Sequence, residues 1–201
     1  MKNTLLTILS ILLFVSVSAQ KHKATIYFKN GTSIKGLAKI DGKKIIYKTS
    51  KKAKRKWFDH TTVKRIDIKD LGKSIYHRLY YKKINNSTNL QLLELSKRGR
   101  VSIYTFPQID GNYGKSTNLT FGVLAGGLSI GINSNSNNLY FLCKNNSDSV
   151  TYFSNKKKLF RKETTEYFKD CPTLVDEINS KKFKPKHLSK IIDFYNYKCK
   201  K

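Results

Sequence analysis

The side chains that could do chemistry are few and scattered. Histidine occurs at His22, His60, His77 and His187, without the paired spacing that sets two imidazoles on one metal ion. Asp59-His60-Thr61-Thr62 places an acid, an imidazole and two hydroxyls side by side, but a hydrolytic triad is defined by geometry, and nothing in the flanking pattern aims a nucleophile at His60. Asp and Glu together number 13, a thin supply for paired-carboxylate hydrolysis. This inventory predicts no enzyme, no cofactor and no metal. The rival expectation is an extracellular or periplasmic hydrolase acting on nucleic acid or cell-wall material, with His60 or His77 as general base.

A binding chemistry is better represented. Lys51, Lys52, Lys54, Arg55 and Lys56 run directly into Trp57-Phe58, and cations beside aromatic rings can seat a headgroup, a sugar or a base by stacking next to charge. These residues, from Lys51 to Trp57, are the candidate site. A second cluster, Lys181, Lys182, Lys184, Lys186 and Lys190, reads as the wet face of the last helices. Lys and Arg total 40, giving a formal charge of +27, which attracts polyanions. The expected partners are anionic lipid, polysaccharide or an envelope protein. Arginine is confined to Arg55, Arg65, Arg78, Arg98, Arg100 and Arg161. Its planar fork reads phosphate geometry where lysine supplies a hydrated point charge, so no specific nucleic acid is expected.

The compartment follows from the first residues. Lys2 precedes an apolar run from Leu5 to Val17 that closes on Ser18-Ala19 before Gln20, the pattern of a signal peptide over 1–19. The run is shorter than the roughly 20 apolar residues a bilayer-spanning helix needs. The chain is therefore expected in the periplasm, at the outer surface or secreted, where disulfides persist. Of Cys143, Cys171 and Cys199, the last two flank the C-terminal helical stretch, and antiparallel helices would bring those ends together. A Cys171–Cys199 disulfide is predicted, leaving Cys143 as a small buried residue in a strand.

The elements that must position these residues read as α+β. From Ala24 to Lys69, short strands alternate with Asn30-Gly31 and Asp41-Gly42 turns, a spacing that suits a small five-stranded barrel over 20–70. Residues 71–155 read as an antiparallel β-meander carrying a Gly-rich apolar insert at 121–132, either a buried element or a docking loop. Over 156–201 three apolar stripes at helical spacing, around Phe160, Leu174 and Ile191, predict a C-terminal helical hairpin. There Pro172 suits a first turn, with Asp170 near enough to cap it.

The run Phe28, Asn30-Gly31, Ile34, Gly36, Ile40, Asp41-Gly42, Ile45 to Tyr47, Val63, Ile66 and Ile68 resembles the small SH3-like or Sm-like barrels that open many exported bacterial proteins. The C-terminal pattern from Lys158-Leu159-Phe160 through Asp170-Cys171-Pro172 to Phe194-Tyr195-Asn196 and Cys199 is similar to the helical ends of exported proteins of that kind. The resemblance implies fold and export and carries no activity. RNA-binding Sm-like barrels have a second motif that Val63 to Lys69 lacks. The reading is a non-catalytic envelope protein serving as a binding or structural accessory module.

Overall fold

The computed structural model describes residues 21–69, 76–85, 87–88, 90–107, 109, 120–121, 130–131, 139–153 and 156–199. The proposed leader, 1–19, lies outside them, as does most of the Gly-rich insert. The chain is α+β. Its strands are β1 His22–Phe28, β2 Ser33–Asp41, β3 Lys44–Lys48, β4 Lys56–Phe58, β5 Val63–Lys69, β6 Tyr76–Ile84, β7 Leu90–Lys97, β8 Val101–Thr105, β9 Thr120–Phe121, β10 Ile130–Gly131, β11 Phe141–Lys144 and β12 Ser149–Tyr152. Helices α1 Lys157–Tyr167, α2 Pro172–Asn179 and α3 Leu188–Lys198 follow, with a 3₁₀ turn at Pro185–His187.

Ten strands form one sheet in the order β12-β11-β8-β7-β6-β5-β1-β2-β3-β4, and β12 also pairs with β6. That last pairing is parallel, Ser149↔Lys83 and Val150↔Ile84. It is sealed by backbone bonds from Lys83 N to Asp148 O at 3.0 Å and Asn85 N to Val150 O at 2.9 Å. It closes β6, β7, β8, β11 and β12 into a five-stranded barrel. The hydrogen-bonded ring thus falls within 76–152, not within the 20–70 segment where the strand spacing suggested it. The reason is edge availability. β5 is already bonded on one side to β1 and on the other to β6, and β4 has three residues. Strands β1 to β5 therefore form a curled arm with its own core: Ala24, Ile26, Ala38, Ile45, Tyr47, Val63, Ile66 and Ile68, packed with Leu79 and Leu92. Phe28 meets Phe58 edge-on at 5.1 Å inside that curl.

Period-two patterning sets the faces. In β8, Tyr104 and Ser102 lie opposite Phe141 and Cys143, and Val101 and Ile103 opposite Lys144 and Leu142. Opposed residues share a face. Tyr104, Phe141 and Cys143 fill the ring with Leu93, Ile84 and Val150. Val101, Ile103 and Leu142 face outward and are covered by Phe160, Phe168, Leu174, Ile191 and Tyr195 of the helices. α3 is registered to β8 by the Asn196 amide, which donates to Val101 O at 3.0 Å and accepts from Val101 N at 2.9 Å. Gly99 permits this approach, since a Cβ there would overlap the Asn196 amide. Lys97 pairs with Asp193, and Arg100 stacks on Tyr195 at 4.5 Å while donating to its carbonyl at 2.9 Å.

Cys171 and Cys199 are joined, with Cα atoms 5.6 Å apart. Pro172 occupies the first turn of α2, but the N-cap residue is Cys171, without a side-chain capping bond. Asp170 does not cap. Its Oδ1 accepts from Lys144 Nζ at 2.7 Å and its Oδ2 from the Tyr195 hydroxyl at 2.5 Å, two charge-assisted bonds that occupy both oxygens. It ties β11 to α3.

Candidate binding surface

The loop from Lys51 to Arg55 joins β3 to β4, and Lys51, Lys52, Lys54, Arg55 and Lys56 are all solvent-exposed. Register decides what stands with them. Ile46 pairs with Trp57 on one side and with Lys39 on the other. These three share a face, the one directed away from the arm's core. Leu37 pairs with both Lys23 and Lys48 one row further on. Phe58, the next residue, turns inward against Tyr47 and Phe28. Trp57 stays outside at 52% exposed, over an Ile46 that is buried. An indole left half in water on a buried isoleucine is a stacking platform.

The charges around it are crowded. The Lys21 ammonium is held below its ordinary range by desolvation first and then by the like charges of Lys48, Arg55 and Lys39. Lys48 Nζ donates to Lys51 O at 3.0 Å, holding the loop against β3. Asp41 is the acid on the exposed face of β2, at its far end opposite Lys44. Bringing several cations together without counter-charge costs free energy that an incoming polyanion recovers. Lys21, Lys23, Lys39 and Lys48 were not singled out from sequence. They are spread from the start of β1 through β2 to the end of β3, so they become a site only when the register is known.

The residues considered for catalysis are placed otherwise. Asp59 Oδ1 accepts from Thr61 N at 2.9 Å and from the Thr61 hydroxyl at 2.5 Å, and these two bonds hold its carboxyl below the ordinary value. Asp59 and Thr61 make a turn between β4 and β5, and the His60 ring rests edge-on to Tyr81 at 5.9 Å. His77 Nδ1 lies 2.8 Å from Glu94 Oε1, an acid–imidazole pair. The hydroxyls of Ser96 and Thr105, on the neighbouring strands, are bonded to each other at 2.9 Å. Gly127, Ser129 and Gly131 have the spacing of a nucleophile elbow, which the sequence reading missed. That motif requires a strand-to-helix turn, whereas Ile130–Gly131 pair antiparallel with Thr120–Phe121, and Ser129 lies outside the described residues.

Inside the ring, Lys82 is 6% exposed and Cys143 is 1% exposed. The thiol donates to Ser147 O at 3.2 Å, and Lys82 Nζ bonds the same carbonyl and approaches the sulfur at 3.9 Å. Burial pushes the Cys143 thiol up, more than the Lys82 charge brings it down, so the sulfur is a poor nucleophile. Among the described residues no group of His, Cys, Asp and Glu could hold a metal ion, and no helix is long and apolar enough to cross a membrane. No family model, curated protein or solved structure matches the chain.

Proposed function

We propose that this chain is an exported, non-catalytic protein of the cell envelope that binds a polyanion through the Trp57 face of its N-terminal arm. One observation carries the reading: strand register sets Lys39 and Lys48 on the face of a half-exposed indole, and Lys21 feels the like charges of Lys48, Arg55 and Lys39. The disulfide in the helical cap and the leader-like start support export. The partner classes that fit are anionic polysaccharide and anionic lipid headgroups, both of which offer repeated negative charge.

Trp57 is the sole tryptophan in the sequence, so its fluorescence reports the surface directly. Titration with heparin and with anionic vesicles is expected to shift the emission saturably, with affinity falling as salt rises. Lys48→Gln and Arg55→Gln should each weaken binding and lower the logarithmic salt slope by about one. Unchanged emission together with salt-insensitive failure of both ligands to bind would refute the reading.

One observation favours a second reading, hydrolysis with His77 as general base: the Glu94 carboxylate on Nδ1 could orient the ring as the acid of a triad does. Assay of nucleic acid and cell-wall substrates with the protein and its His77→Ala variant decides it. Turnover lost in the variant supports it, and no turnover by either protein removes it.

A further inference from the structure

The scarce arginines are not spread at random. Arg65 on β5 and Arg78 on β6 reach the same carboxylate: Asp67 Oδ1 lies 3.0 Å from Arg65 Nε and 3.4 Å from Arg78 Nε. Asp67 and Arg78 are direct cross-strand partners. The Arg65 guanidinium carbon sits over the Tyr27 ring, 3.8 Å from its centroid, with Tyr80 adjoining. The ring on one side and the carboxylate on the other hold that fork in place. Asp67 is 13% exposed, whereas the Arg78 side chain is 43% exposed and has no other ion pair among the described residues. Each Nε faces the shared oxygen at ion-pair distance, without an aligned hydrogen bond to it, and a guanidinium carries five N–H donors in all. Among the described residues, two positive charges are held side by side against one negative charge, which leaves the group one anion short of balance.

We propose that Arg65 and Arg78, aligned by Asp67, form a receptor for a singly charged oxyanion that presents two oxygens: a carboxylate, a sulfate ester or a phosphodiester. Such a group accepts one N–H from each fork and completes the charge balance. Lysine could supply the charge but not the paired, planar donors. The site stands apart from the Trp57 face in its residues and does not depend on that reading.

The six arginines give six Nε–Hε signals in a spectrum of the ¹⁵N-labelled full chain, assigned by single Arg→Lys variants. Titrations use dimethyl phosphate, methyl sulfate and acetate, with sodium chloride as the screening reference. The Arg65 and Arg78 signals are expected to shift together and saturably with at least one oxyanion, and the strongest of the three identifies the source chemistry. Arg78→Lys should weaken the response at Arg65 by about tenfold or more although charge is kept, through loss of a charge-assisted hydrogen bond. Asp67→Asn retains an oxygen for both Nε groups and removes the competing charge, so it should tighten binding. Trp57→Ala should leave the titration unchanged. Linear shifts equal to those in chloride, or an unaltered response in folded Arg78→Lys, would overturn the proposal. Either result leaves the Trp57 reading standing.

Discussion

Opening the Cys171–Cys199 link tests how the helical cap is held. The two cysteines are 28 residues apart in sequence. In the chain-entropy description, closing a loop of that length removes roughly 12 cal/mol/K from the unfolded ensemble, or about 3.6 kcal/mol at 25 °C. For a chain of this size that corresponds to a fall in melting temperature of about 7–14 °C. Cys171→Ala/Cys199→Ala is the cleaner perturbation, because both sites are buried and serine would add an unsatisfied hydroxyl. Urea unfolding of the variant, beside the parent with and without reductant, gives the difference. Hydrogen exchange should place the earliest loss of protection in α2 and α3. Those helices rest on β8 and β11 through side chains, whereas the ring amides are bonded strand to strand. A loss below about 1 kcal/mol in both the variant and the reduced parent would refute the reasoning, since closure entropy cannot be that small for such a loop. It would mean that α3 is held by Asn196, Arg100 and the apolar contacts alone.

Phe168 is fully buried between Tyr167 and Tyr195, so Phe168→Ala should cost about 3–5 kcal/mol in denaturant unfolding. At Asp170, partial burial pushes the carboxyl up, but the bonds from Lys144 and Tyr195 outweigh it and hold the group below the ordinary 3.8. A depressed folded value contributes stability above the unfolded value that is lost as pH falls through the folded one. The stability gap between parent and Asp170→Asn should therefore be full at neutral pH and shrink progressively below about pH 4 in acid titrations of unfolding. Cys143, buried and with its thiol pushed up, should resist alkylation in the native chain and react once urea passes the unfolding midpoint, as followed by intact mass.

Much of the local structure was legible because it is local. Asn30-Gly31 announced a turn, and Gly31 takes a φ of 89° while the Asn30 side chain accepts from Thr32. The helical stripes around Phe160, Leu174 and Ile191 announced three buried faces, and these are the ones packed on β8 and β11. The binding face was half legible. The run from Lys51 to Trp57 is contiguous in sequence, while Lys21, Lys39 and Lys48 join it through strand register. Asp170 shows the opposite failure. Its position beside Pro172 suggested a cap, and a lysine 26 residues away claimed the carboxylate instead.

The sequence by itself determined the basic charge, the period of each segment and the turns between them, because these depend on side chains within a few positions of one another. Which five strands close into a ring, which face of the arm carries Trp57 among lysines, and which two arginines share Asp67 were decided only in the tertiary structure. Those outcomes depend on which strand edges remain unbonded after the nearest pairs have formed, and on a register in which a shift of one residue would turn every side chain to the other side.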